Sequence, residues 1–445
     1  MKGEREKWPD RIPYALETGT ELPSMFLAEQ VFPRPRLDDV FAEALESMER
    51  LPLPDLKGKR LAVTAGSRGI SDIVPSLRAV IAFLKSRDAE PFLIPAMGSH
   101  GGANAEGQVN LLKGLGITEE SMGVPIRSSM ETVSLGVTEG GYTVHCDRFA
   151  FESDGIVVCN RVKAHTDFKM DIESGLCKMM SVGLGKHKGA AAVHGLGVAN
   201  LGPSVLSGAK IFLEKAPVLF GLALVENAFE ETMIAEALMP GQSISREKEL
   251  LVIAKESMGR LYPGEMDILI AEKIGKEISG AGMDPNISGR PMPGALGFEK
   301  IWRPTSAVVL GVTDHSAGNA LGIGLADITT VKAVKNLDLA STYTNGITAG
   351  DILGCSIPLM ANTERDAVAI AISACAPKKG RECRIIQVKN TLELTVIALS
   401  EAYWEEVQGH PSIRCLTSPE PMKFSSEGDL ERVGNWAARV QGKSE

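Results

Sequence analysis

The chain has 445 residues, about three times the roughly 150 residues of a common domain, so a small stapled scaffold is excluded and two or three domains are expected. Lys plus Arg number 47 against 56 Asp plus Glu, a net charge of −9, and aromatics make up only 5%. That balance argues against a nucleic-acid binder, which needs a basic face to neutralise phosphates. The seven cysteines form no CxxC pair, which excludes a disulfide framework or a Cys-rich zinc site.

The start, MKGEREKWPD, is charged and has no apolar stretch, so no secretory signal is expected. Residues 61–66 (LAVTAG) read as a buried strand. A helix over 72–87 follows, with Ile73, Leu77, Val80, Ile81 and Leu84 at helical spacing. Residues 91–97 (PFLIPAM) form the next strand and close a β-α-β unit with a glycine-rich exit loop. Such alternation implies a parallel sheet that binds ligands at the carboxyl ends of its strands. Weak alternation at 133–135 and 142–145, around Gly140–Gly141, predicts a hairpin. Residues 155–162 (GIVVCNRV) read as another strand, 205–215 as a helix, 219–225 as a strand and 246–261 as an amphipathic helix. The longest apolar run, 216–225, is about half of the roughly 20 residues that span a bilayer, so the chain reads as soluble and cytoplasmic.

Pro263–Gly264 marks the expected boundary between an N-terminal domain, 1–263, and a C-terminal domain, 264–445. In the second half, 267–271, 306–312 and 383–388 are strand candidates, with helices near 322–337 and 364–376. The polar tail beyond Thr417 is expected to be loosely held. The fold class is therefore α/β, with two α/β domains, parallel-rich sheets and an active site in the cleft between them.

Chemistry concentrates in the first half. His100 lies in AMGSHGG and His165 in NRVKAHTDF, each just past a strand end where a ligand can reach. Imidazole carries protons well near neutral pH, so two such rings suit acid–base work, although a lone histidine is often structural. Residues 175–194 (GLCKMMSVGLGKHKGAAAVH) hold Lys178, Lys186, His187, Lys188 and His194. The segment reads as a solvated basic loop leading into a helix, or as lysines and glycine N–H groups that grip a phosphate. It lacks the GxxxxGK[ST] pattern of a P-loop. Lys178 is flanked by Leu176, Cys177, Met179 and Met180, and a lysine in apolar company loses its charge more readily and becomes a nucleophile or covalent anchor. Cys177 reads as a small buried hydrophobe. Arg68, in GSRG, sits between a strand and a helix, where its fork suits a carboxylate or phosphate. Residues 277–290 are a second-domain active-site loop or a long turn, and Asp314–His315 is a weaker candidate of the same kind.

The ordered set GSRG, MGSHGG, NRVKAHTDF and GLCKMMSVGLGKHKGAAAVH, spanning 66–194, resembles the nickel-dependent lactate racemase family and its 2-hydroxyacid racemase and epimerase homologues. The resemblance implies a covalently tethered nickel-pincer nucleotide, a pyridinium-3,5-bisthiocarboxylic acid mononucleotide. Its carbon and two sulfurs bind the nickel, and one histidine completes the ligand set. Carried onto this chain, Lys178 is the tether and His194 the nickel ligand. His100 and His165 are the acid–base pair, and Arg68 with Ser67 holds the cofactor phosphate or the substrate carboxylate. The implied reaction is racemisation or epimerisation of a 2-hydroxyacid by hydride abstraction and return at C2. Cofactor-maturation proteins are implied partners, and neither nucleic acid nor membrane is. The family's lactate racemases carry Thr-His-Arg where this chain has Ser-His-Gly-Gly, which points to a hydroxyacid other than lactate.

Two other readings stand beside this one. A zinc-type hydrolase would use His100, His165 and His194 as a three-histidine site with an open position for water. A non-catalytic protein would use GSRG and GLGKHKG to grip a phosphorylated ligand. A nicotinamide dehydrogenase is disfavoured, because no GxGxxG follows the first strand.

Overall fold

A computed structural model describes residues 8–15, 19–67 and 69–442. The chain divides into two compact units, Pro33–Met258 and a second made of Met1–Phe32 with Gly259–Glu445. The sequence pattern put the division at 263/264, with everything before it in one domain. The first strand, β1 (Ser24–Gln30), explains the different grouping. It is almost wholly buried and pairs with strands from the far end of the chain, so its apolar face belongs to the second unit.

In the Pro33–Met258 unit, β2 (Arg60–Ala65), β3 (Glu90–Pro95), β6 (Gly155–Arg161), β7 (Val218–Glu226) and β8 (Thr232–Leu238) form one sheet in the order β3-β2-β6-β7-β8. All neighbours are parallel except β7 and β8. Helix α1 (Ile73–Ser86) makes the crossover from β2 to β3 and buries Ile73, Leu77, Val80, Ile81 and Leu84, the positions read from the sequence. The remaining strands, β4 (Thr132–Val137) and β5 (Thr143–Asp147), form the expected antiparallel hairpin.

Both faces of the five-stranded sheet are covered, so its strands are near-continuous apolar runs. Alternate residues serve opposite cores. Ala62, Ile94, Ile156 and Val158 pack on one side, and Leu61, Val63, Leu93 and Val157 on the other. Helices α2 (Ala105–Gly114), α3 (Lys186–His194), α4 (Leu201–Lys215) and α5 (Ser243–Ser257) add to these layers. α5 stops short of the predicted 261 because Met258 is extended and ends the run ahead of Gly259.

The strand order reverses between β2 and β6. The chain leaves β2 toward β3 on one side, and β6 fills the other. In open parallel sheets the carboxyl ends of the strands at such a reversal are the usual ligand position.

The second unit carries a larger sheet with a parallel block and an antiparallel block. The parallel strands are β9 (Ile268–Ala271), β10 (Ser306–Val309), β11 (Ile328–Thr330), β12 (Leu359–Ala361) and β13 (Ile385–Val388). The strand β14 (Val396–Ser400) runs antiparallel between β13 and β1. Two expectations are corrected here. The helix over 322–337 is reduced to Val331–Lys335, because Gly322 is left-handed at φ +98°, Ile328–Thr330 pairs as a strand, and Thr330 caps the short helix by accepting the Ala333 N–H at 3.0 Å. The tail is not loose, since its terminal helix Val433–Val440 buries Val433 and Trp436 in the core of this unit.

The architecture is thus α/β with parallel-rich sheets, as the alternation predicts. Among the described residues no single helix is long and apolar enough to cross a membrane.

Candidate functional site

Three loops at the carboxyl edge of the five-stranded sheet carry the site. After β2 comes Gly66–Ser67, after β3 the glycine-rich loop with His100, and after β6 the loop with His165. Arg68, assigned to anion binding from the sequence, lies outside the described residues.

The first two loops meet at Ser67 Oγ and His100 Nδ1, 2.5 Å apart. His100 is exposed, and Ser67 holds its ring through Nδ1. The turn behind it explains its glycines. Gly101 has φ +67°, and a Cβ there would stand 2.6 Å from the Gly107 carbonyl carbon. A Cβ on Gly107 would stand 1.9 Å from the Gly101 oxygen. Only backbone fits between this turn and the first turn of α2.

The His165 loop is closed by reciprocal backbone hydrogen bonds between Lys163 and Ser174. Inside it, the buried Glu173 carboxylate accepts the His165 N–H at 2.6 Å and the Met170 N–H at 3.0 Å, and pairs with Lys255 at 2.6 Å. The His165 ring is buried and stacks on Phe168 at 4.3 Å between centroids. Its Nδ1 accepts the Asp167 N–H at 3.0 Å, so a neutral ring carries its proton on Nε2. That nitrogen meets Lys178 Nζ in a close hydrogen bond. Such a ring donates to the lysine only when the amine offers its lone pair, the form in which lysine is a nucleophile.

Lys178 ends the short turn Leu176–Lys178, which continues as one π turn, Met179–Gly183, before α3 begins. Its neighbours Leu176, Cys177, Met179 and Met180 are buried while Lys178 is half-buried, as the apolar context predicts. Two contacts fix where the turn starts. Asn160, at the end of β6, donates to the Gly175 carbonyl at 2.8 Å. Glu247, fully buried on α5, accepts the Cys177 N–H at 2.9 Å. Burial pushes the Glu247 carboxyl up to about 7, its Oε1 has no hydrogen-bond partner, and the Cys177 thiol is raised by burial and by that carboxylate. Cys177 is therefore inert packing, as read from the sequence.

His194 is the last residue of α3. Desolvation by the surrounding chain lowers its pKa below 6.5. The Lys178 charge, when that amine is protonated, lowers it further, and Asp167 opposes both. His165, Lys178 and His194 thus belong to one neighbourhood, with Asp167 at its edge. The His100 loop touches the same segment, since Gly98 N–H donates to the Gly183 carbonyl at 3.1 Å and Gly66 lies against Met179.

Other predicted residues fall elsewhere. Lys186 is completely buried and pairs with Asp147 at 3.1 Å, so it is not a surface phosphate grip; His187 and Lys188 are exposed. In the second unit, Arg290 is buried and holds Asp327 and the Pro304 carbonyl, which makes that end of 277–290 a structural tie. Among the described residues, no group of three or more His, Cys, Asp or Glu could hold a metal ion, so the three-histidine site is not assembled.

Glu173 and Glu247 were missed in the sequence. Glu247 was legible, because it lies three, four and seven residues before Leu250, Leu251 and Ala254 on the inward face of α5. Glu173, in an irregular loop, has no such periodicity.

No family model and no curated protein sequence matches the chain. Among solved structures it is similar to the lactate racemase apoprotein from Thermoanaerobacterium thermosaccharolyticum, with a TM-score of 0.51 and 12% identity, over 82% of this chain and 94% of that one. At that identity the likeness shows the fold. The chain has the α/β fold of a lactate racemase apoprotein.

Proposed function

We propose that this chain is a racemase or epimerase of a 2-hydroxyacid that works with a nickel-pincer nucleotide at the carboxyl ends of β2, β3 and β6. The observation that carries the reading is the Lys178 amine facing His165 Nε2, with His194 in the same neighbourhood, on a fold shared with a lactate racemase.

The donor chemistry fits such a group. A zinc site needs three protein ligands, and the described residues do not bring three together. A cofactor that brings its own carbon and sulfur donors asks the protein for a single imidazole, and His194, exposed at the end of α3, would provide it. Lys178 would hold the group through its amine, His194 would ligate the metal, and Ser67 with Arg68 would take the phosphate or the substrate carboxylate. When bound, the cofactor supplies the hydride acceptor and donor for C2.

The protein's own part is proton transfer and positioning. His100, anchored at Nδ1 by Ser67, would exchange a proton with the substrate hydroxyl through its ring. His165, fixed in its tautomer by the Asp167 N–H, presents its protonated Nε2 to the same neighbourhood. One ring accepts the hydroxyl proton while the other returns one, and exchanging these roles serves the reverse stereochemical direction. The reading carries with it cofactor-maturation partners and a cytoplasmic location.

The test is chiral chromatography of a panel of 2-hydroxyacids incubated with protein co-expressed with a pincer-cofactor biosynthesis system. Interconversion of enantiomers or epimers of at least one acid is expected. Complete inactivity, with a lactate racemase matured to activity in the same cells, contradicts the reading.

A further inference from the structure

Behind the His100 loop lies a buried polar chain with no part in binding or proton transfer. Gln108, on α2 and fully buried, donates from Nε2 to the Gly98 carbonyl at 2.9 Å and to the His100 carbonyl at 3.3 Å. Its Oε1 accepts from Lys186 Nζ at 3.2 Å. The same ammonium donates to the Pro95 carbonyl, where β3 ends, at 2.5 Å, and faces Asp147 Oδ2 at 3.1 Å. Neither Lys186 nor Asp147 has any exposed side-chain surface. Lys186 is the first residue of α3, and His194 is the last.

Stability does not account for this arrangement. A buried ion pair loses in desolvation much of what it gains in attraction, and well-packed apolar residues of similar volume often do as well or better. Lys186 also sits at φ +54°, a left-handed conformation that costs a side-chain-bearing residue free energy. A strained, buried charge kept beside a site signals a positional requirement. Asp147 also caps Arg148–Phe151 by accepting the Ala150 N–H at 3.0 Å, while Lys186 and Gln108 together bond the Pro95, Gly98 and His100 carbonyls.

We propose that Lys186 and Gln108 are positioning residues that register the His100 loop against α3, and so set His100 relative to the helix that carries His194. The catalytic consequence rests on the function proposed above; the structural one does not. With Lys186 bonded to Pro95 and Gln108, the loop cannot shift along β3 without breaking bonds to three carbonyls. Ser67 then meets His100 Nδ1 in one fixed orientation.

The test uses ¹⁵N-histidine NMR on the full apo chain, with the His100 signals assigned by loss in His100→Gln. Lys186→Met keeps the volume and apolar stem of the side chain and removes the ammonium. The expected result is a folded protein whose His100 Nδ1 resonance loses its hydrogen-bonded position and broadens, while the His410 resonances stay in place. In cofactor-loaded enzyme, kcat falls by about tenfold or more with KM little changed, as expected when a proton carrier is misplaced. Gln108→Leu, which leaves the Lys186–Asp147 pair intact, is expected to give the same His100 change, and decides the matter if Lys186→Met does not fold. A folded variant of either kind with unchanged His100 signals overturns the proposal. Wild-type enzyme without hydroxyacid activity would instead defeat the functional reading and leave the NMR result standing.

Discussion

Lys178 Nζ and His165 Nε2 share a close hydrogen bond although the two residues come from different structures, one from a helical turn and the other from the loop after β6. The Asp167 N–H on the far side of the ring selects which nitrogen carries the proton. A candidate covalent anchor and a candidate proton carrier are thereby oriented by a single backbone amide.

His100→Gln and His165→Gln are expected to separate chemistry from folding. His100 is exposed, so its replacement should leave the denaturation midpoint nearly unchanged while lowering hydroxyacid interconversion by about 10²–10⁴-fold. His165 is buried against Phe168, so its replacement should lower activity comparably and also reduce stability. Full activity in folded His100→Gln would remove that residue from the mechanism.

Glu247 makes stability depend on pH. Its folded-state pKa of about 7 lies above the ordinary 4.5, so the folded protein keeps this proton over a range where the unfolded chain has released it. Its contribution to stability therefore falls as pH rises from about 4.5 to about 7 and levels off above. A gap of that size corresponds to about 3 kcal/mol. Glu247→Gln cannot ionise and can still accept the Cys177 N–H. Urea unfolding at pH 5.5 and 8 should show a smaller difference between the two pH values in the variant than in the wild type. Equal pH dependence in both would mean that Glu247 ionises normally in the fold.

Removing the Glu173 carboxylate strips partners from the His165 N–H, the Met170 N–H and Lys255 at once. Orphaned buried donors cost roughly 1–3 kcal/mol each, so Glu173→Ala is expected to lose at least about 2 kcal/mol. Loss of protection of the His165 amide in hydrogen exchange would accompany it. Retained protection would show that another acceptor holds the loop.

At Gly107, helix propensity and packing predict opposite signs. Gly to Ala inside a helix gains about 1 kcal/mol from propensity. Here the new Cβ would stand 1.9 Å from the Gly101 carbonyl oxygen, a backbone atom with little room to move. Overpacking of this kind costs typically 1–3 kcal/mol, so Gly107→Ala should lower Tm and disturb the adjacent His100 turn. A higher Tm would mean that the turn yields easily.

Much of the five-stranded unit was legible because its signals are local. Apolar runs such as LAVTAG and GIVVCNRV are long enough to be strands, and the 3.6-residue period of α1 is plain. The candidate residues His100 and His165 stand out in the sequence for a related reason, since both lie just past strand ends. What local pattern does not carry depends on distant pairing. β1 joins a sheet built almost four hundred residues later, where Met25 meets Ser400, and no local pattern announces that partner. Residues 322–337 look helical by spacing, yet a left-handed Gly322 and the pairing of Ile328 with β10 and β12 override the periodicity. Lys186 resembles its exposed neighbours Lys188 and His187 in sequence, yet it is buried and sits at φ +54°.

If Lys178 anchors a nickel-bearing cofactor, intact mass and metal analysis will show it on protein co-expressed with the pincer-cofactor biosynthesis system, wild type against Lys178→Ala. A covalent mass adduct and bound nickel in wild type, both lost in Lys178→Ala, are the predicted result. Wild type without adduct or nickel, while a lactate racemase loads in the same cells, would mean that Lys178 is not a cofactor anchor.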